Sequence, residues 1–174
     1  MLVSRPALVL VALTLAATLC SAARAQDAQP PLVRSARIME YGIYSSDVDA
    51  FIVDRDVADN CKILSQRFRL VRETDVIPAR LGLGFGFQYV VAGEPKGAAV
   101  DVDVVVEHPP LFNPKLGQTY LFSRTAFQRF LGEPGHAVWS FDEGWTLCPG
   151  TWTIRIEYQG RLLAKKSFTV TLAR

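Results

Sequence analysis

Cysteine and histidine are scarce in this chain. Its 174 residues hold three cysteines and two histidines. There is no C-x-x-C, which removes the usual redox pair, and the few cysteines and histidines lack the spacing of a zinc site. An excess of one charge is also missing, with 19 Lys and Arg against 17 Asp and Glu. That balance gives no electrostatic reason to expect nucleic acid as a partner. The sequence has no G-x-S-x-G, no G-x-G-x-x-G, no internal repeat and no low-complexity tract. It is not short of apolar residues. They make up 49% against 21% charged, which excludes a disordered chain and suits one packed domain.

The N-terminus reads as a secretory signal peptide over residues 1–25. Arg5 supplies the positive n-region, and Pro6 to Leu19 is uncharged and mostly apolar. Ala23-Arg-Ala25 provides an A-x-A cleavage site. The apolar run has the length of an h-region and is short for a spanning helix of ~20 residues. Cys20 invites lipidation, but bulky Leu19 stands where that signal prefers a small residue. Cleavage after Ala25 removes Arg5 and Arg24 and no acid, leaving 17 bases and 17 acids. No later stretch is apolar enough to cross a bilayer, so no membrane span is expected after signal removal. The expected location is periplasmic or secreted.

Export leaves Cys61 and Cys148, an even number in an oxidising compartment. A Cys61–Cys148 disulfide is expected, with two separate buried thiols as the alternative. Closing so long a loop would stabilise by roughly 4 kcal/mol, less any strain.

Residues 26–34 read as a flexible, polar leader, and residues 35–174 as a single domain in which period two dominates. Strands are expected at Ser35–Tyr44, Lys62–Arg72, Leu81–Tyr89, Val100–Glu107, Tyr120–Phe122, Ala137–Phe141, Thr151–Tyr158 and Leu162–Leu172. Leu81, Leu83, Phe85, Phe87 and Tyr89 share one face, with Gly82, Gly84, Gly86 and Gln88 on the other. Gly93-Glu-Pro-Lys-Gly97 and Gln159-Gly160 supply turns. Only Asp47–Asn60 and Thr125–Leu131 read as short helices. About eight strands with turn chemistry between them argue for an all-β, immunoglobulin-like antiparallel β-sandwich.

Several residues invite chemistry. The glycines of Leu81–Phe87 alternate within a strand and do not open a helix, so a side-chain-free face that another backbone segment, a ligand or a covering loop could approach is expected there rather than a phosphate. Asp47, Asp49, Asp54, Asp56 and Asp59 lack the order of a calcium loop, and Phe51-Ile-Val53 interrupts them. No metal ligand or other cofactor is expected. His108 follows Glu107, and a histidine beside an acid can serve as a general base. His136 follows Pro134-Gly135 and reads as an exposed turn residue. Trp152 alternates with Ile154 and Ile156 and belongs in the core, whereas Trp145 in Glu143-Gly-Trp145 is the better candidate for exposure. His108 and Trp145 are therefore the candidate binding residues, and no catalytic residue is assigned. Arg67, Arg69 and Arg72 form a basic stripe expected to pair with Asp101 and Asp103.

The order of several blocks resembles the bacterial family called domain of unknown function 3859. Glu73-Thr-Asp-Val-Ile-Pro-Ala-Arg-Leu-Gly leads into Phe85-Gly-Phe-Gln-Tyr89, then Gly93-Glu-Pro-Lys-Gly97 and Glu107-His-Pro-Pro. Trp145-Thr-Leu-Cys-Pro-Gly-Thr-Trp152 and Tyr158-Gln-Gly-Arg-Leu-Leu-Ala-Lys-Lys-Ser-Phe168 follow. The resemblance implies an exported domain, Gram-negative and periplasmic, and carries over no activity or site. The expectation is a non-catalytic binding or interaction module whose partner is an envelope protein or glycan. The alternative is an envelope-acting hydrolase using His108 with a neighbouring acid.

Overall fold

A computed structural model describes residues 30–53 and 61–172, with side chains outside 46–67. The expected signal segment lies outside the described residues. Nine strands are described: β1 (Leu32–Val53), β2 (Cys61–Arg72), β3 (Val76–Ala79), β4 (Gly84–Glu94), β5 (Ala99–Asn113), β6 (Gln118–Phe130), β7 (Pro134–Ser140), β8 (Gly150–Tyr158) and β9 (Arg161–Leu172). One 3-10 turn, Gly144–Thr146, precedes β8. The strands form two sheets, ordered β2-β1-β4-β7 and β3-β9-β8-β5-β6. Every pairing is antiparallel except β3 with β9, which is parallel.

The period-two faces meet between the sheets. From the four-stranded sheet, Phe85, Phe87, Tyr89 and Val91 of β4 point inward with Ala137 and Trp139 of β7. From the five-stranded sheet come Val100, Val102, Val104 and Val106 of β5, Trp152, Ile154 and Ile156 of β8, and Phe168 and Val170 of β9. Phe85 packs on Phe141, Trp152 and Phe168 with ring centroids 5.3–5.7 Å apart. Burying each large side chain contributes roughly 1.5–3 kcal/mol, so this layer carries the fold.

An arginine stands at each lateral seam. Arg129 of β6 donates to the Tyr89 hydroxyl at 3.1 Å and to the His136 carbonyl at 3.2 Å, both on the opposite sheet. Arg161 of β9 donates to the Val33 and Arg34 carbonyls at 2.7 and 2.9 Å. The hairpin at Gln159-Gly160 has positive φ at both residues, as a tight primed turn requires.

Four local expectations need correction. Residues 47–53 continue β1, not a helix, and Thr125–Phe130 lies in β6 paired with β5. In both segments cross-strand pairing overrides the local pattern. β1 already begins at Leu32, with Val33 buried, so residues 32–34 belong to the sheet. Leu81 and Gly82 form a turn before β4, and Gly82 donates to the Phe141 carbonyl.

Candidate functional site

His108 and Glu107 are neighbours in sequence and lie on opposite faces of β5. The alternation that buries Val102, Val104 and Val106 carries on to His108, which is 7% exposed. Its ring lies 5.7 Å from Trp139 and 5.1 Å from Trp152 by centroids, and those two indoles are 5.2 Å apart. Nδ1 lies 2.9 Å from the Pro109 carbonyl. A carbonyl only accepts, so Nδ1 carries the proton. Burial holds the imidazole pKa below its ordinary value, and the Pro109 bond opposes that only in part. His108 is thus a neutral core group.

Glu107 is exposed on the outer face and accepts from Arg155 at 2.6 Å. It joins a lattice of charges. Arg124 donates to Asp103 at 2.8 Å and to Glu157 at 3.0 Å. Arg155 Nε lies 3.1 Å from Glu157 Oε1, an ion pair outside hydrogen-bond geometry. Arg124 and Arg155 are the cross-strand partners of Val105 on either side. Their stems flank Val105, which is why a valine on the outer face is only 1% exposed. The expected pairing with Asp101 and Asp103 is not formed by Arg69 or Arg72, and the Arg67 side chain lies outside the described residues. Those arginines lie on β2 in the other sheet, and Asp103 takes Arg124 instead.

Of the occupants the glycine face of β4 leaves open, it is another backbone that comes close. A Cβ on Gly86 would stand 2.0 Å from the Ala137 carbonyl oxygen on β7. A Cβ on Gly42 would stand 2.1 Å from the Arg72 carbonyl oxygen on β2. Over these positions lies a ring cluster. Tyr44 is 5.8 Å from His136 and 6.4 Å from Phe68, and Phe68 is 5.1 Å from His136. β2 and β7 are opposite edges of this sheet, so Phe68 and His136 meet across the glycine positions.

His136 is therefore a half-buried strand residue and not an exposed turn residue. The Gln88 amide nitrogen lies 3.1 Å from its Nε2, which accepts from it when the ring proton is on Nδ1. Burial lowers the His136 pKa, Glu40 raises it and Arg129 lowers it further. The Tyr44 hydroxyl donates to Glu40 Oε1 at 3.3 Å. Burial, more than Glu40, pushes its pKa upward. The signal for this cluster was the outward Gly84-x-Gly86 pair, which leaves room for neighbouring rings.

Trp145 sits in the 3-10 turn, half-buried against the core, with a buried Nε1 that has no protein partner. The exposure expected for it is therefore only partial. Thr146 beneath it donates to the Glu143 carbonyl at 2.6 Å. Cys148 carries a free, half-buried thiol. Cys61 opens β2 opposite Val53, and its side chain lies outside the described residues. The expected Cys61–Cys148 bridge is thus not shown. Asp47 and Asp49 lie on β1, while Asp54, Asp56 and Asp59 lie outside the described residues. Among the described residues, no group of three or more His, Cys, Asp and Glu is arranged to hold a metal.

Sequence reasoning missed a group of exposed apolar side chains on one hairpin. Phe112, Leu116, Leu121 and Phe122, at 56%, 45%, 61% and 54% exposure, all belong to the β5–β6 hairpin. From Pro109 to Ser123 the only charged side chain is Lys115, which is paired with Glu143. Exposed apolar residues gathered in one place mark interaction sites more often than single ones do.

Among solved structures, an immunoglobulin-like protein from Pseudomonas aeruginosa is similar with a TM-score of 0.56 and 24% identity. The match covers 79% of this chain and 98% of that one. A DNA-bound alkylpurine DNA glycosylase of Pseudomonas fluorescens shows 18% identity and a TM-score of 0.35, covering 57% of this chain and 28% of that one. A β-D-glucoside glucohydrolase from Trichoderma reesei shows 10% identity and a TM-score of 0.33, covering 78% and 19%. No curated protein matches the sequence. The sandwich is immunoglobulin-like, and the family model Domain of unknown function (DUF3859) matches residues 32–170. The chain belongs to that family.

Proposed function

We propose that this chain is an exported, periplasmic, non-catalytic module that binds an envelope protein or glycan through the apolar end of its β5–β6 hairpin. The observation that carries the reading is the concentration of Phe112, Leu116, Leu121 and Phe122 on that hairpin, all well exposed. Immunoglobulin-like sandwiches commonly bind through such end loops and hairpins. The signal-like N-terminus supports export. The hydrolase alternative draws no support from the geometry, because Glu107 faces away from His108 and is engaged by Arg155.

The test is affinity capture of the mature protein from its own periplasm, compared with a Leu121→Asp/Phe122→Asp variant. The expected result is a saturable envelope ligand held by the wild type and lost by the variant, with both proteins melting alike. Equal capture by a folded variant would contradict the proposed surface. Turnover of ester, glycoside or peptide substrates that His108→Phe abolishes would contradict the non-catalytic reading.

A further inference from the structure

The aromatic end of the core contains two buried nitrogens with complementary needs. His108 and Trp139 are 7% and 6% exposed, and their rings are 5.7 Å apart. His108 Nε2 and Trp139 Nε1 are both buried with no protein partner. Trp152, packed against both, is different. Its Nε1 donates to the Cys148 carbonyl at 3.0 Å. Trp145 Nε1 is also without a protein partner, but of these orphaned nitrogens only those of His108 and Trp139 belong to rings in mutual contact.

Their hydrogen-bonding roles are set. The Nδ1 proton of His108 is committed to the Pro109 carbonyl, so Nε2 offers a lone pair. Indole Nε1–H only donates. The backbone at this point departs from the regular ladder. The β5–β6 register shifts between Glu107 and Leu111, and Pro109 and Pro110, which have no N–H, occupy the gap. A bulge of this kind disrupts the ladder locally, bends the strand and can re-aim a side chain.

We propose that one internal water molecule sits between His108 and Trp139, donating to Nε2 and accepting from Nε1–H. A ligand here must donate to one atom and accept from the other, at a place where both rings are almost fully buried. Water meets both conditions, and buried waters typically bridge polar groups left without protein partners. An anion would face a lone pair at Nε2, and a cation would face an N–H at Nε1. The inference is independent of the binding surface proposed above, since it concerns the interior.

The direct test is a high-resolution crystal structure of the mature protein. It is expected to show an ordered solvent peak within hydrogen-bond distance of both His108 Nε2 and Trp139 Nε1. In solution, the Trp139 indole proton is expected to show a cross-relaxation peak to a long-lived water. A His108→Phe variant, which keeps an aromatic ring and removes the acceptor, is expected to lose that peak and shift the Trp139 indole resonance. Absence of density between the rings would overturn the proposal. So would a direct Nε1–H···Nε2 bond, or a water signal unchanged in a folded His108→Phe protein.

Discussion

On the outer face of the four-stranded sheet, rings from Tyr44, Phe68 and His136 lie over glycines. On the outer face of the five-stranded sheet, Arg124 and Arg155 lie over a valine. One arrangement covers backbone and the other a side chain, by different physics. The first depends on shape. Strand backbones approach Gly42 and Gly86 so closely that a Cβ would overlap a carbonyl oxygen. The second depends on charge in a partly solvated setting, with Arg124 at 41% and Asp103 at 32% side-chain exposure. Steric arrangements fail abruptly when one atom is added. Exposed ion pairs have neighbours and solvent to compensate.

The largest expected effect follows from adding that atom. Gly86→Ala places a Cβ 2.0 Å from the Ala137 oxygen and 2.8 Å from the Val138 Cα, both backbone atoms of β7. The β4–β7 pairing must move, and a loss of about 3 kcal/mol or more is expected in chemical denaturation. A loss below about 1 kcal/mol would show that the close approach is not a real constraint.

A middle-sized effect concerns pH. Burial holds the pKa values of His108 and His136 below the ordinary value of 6.5. The unfolded chain then binds protons more readily than the folded one. Their contribution to stability is complete above about pH 6.5 and is lost as pH falls from there toward the lower folded values. Thermal melting between pH 7.5 and 5 is expected to show this decline, and His136→Gln to flatten part of it. An unchanged slope in that variant would place the His136 ring in a more solvated setting than the one described.

A smaller effect is expected on the charged face. Arg124→Ala removes two ion pairs, yet Glu157 keeps Arg155 nearby. The expected loss is below about 1 kcal/mol and shrinks further in high salt. A larger, salt-insensitive loss would mean that Arg124 stabilises mainly through its stem over Val105. The smallest effect is chemical. Alkylation of the native protein without reductant is expected to label Cys148, whose thiol is free. A protected Cys148, with the mass of a bridged pair, would restore the disulfide expected from export.

The sandwich was legible because its core strands announce themselves locally. The valines of β5 and the Phe-Gly alternation of β4 each match one face of a sheet. β3 escaped because four residues containing Pro78 make little periodic signal, and its parallel pairing with β9 is entirely non-local. Thr125–Leu131 looked helical because Phe127 and Leu131 are four apart, a spacing that strand pairing with β5 overrides. At the candidate site, residue type was legible and orientation was not. Glu107-His108 reads as an acid–base pair only until the pleat of β5 separates them. His136 looked exposed because Pro134-Gly135 resembles a turn. An edge strand such as β7 tolerates proline at its start, and there the pair begins a strand.

The one histidine placed to suggest catalysis is a neutral core group cut off from its neighbouring acid. Nitrogen-detected NMR titration of both histidines tests this most directly. His108 is expected to keep its proton on Nδ1 and to stay neutral well below pH 6.5, with no response to Glu107→Gln. A His108 that titrates at or above 6.5, and moves when Glu107 is neutralised, would contradict the account and return the acid–base pair to consideration.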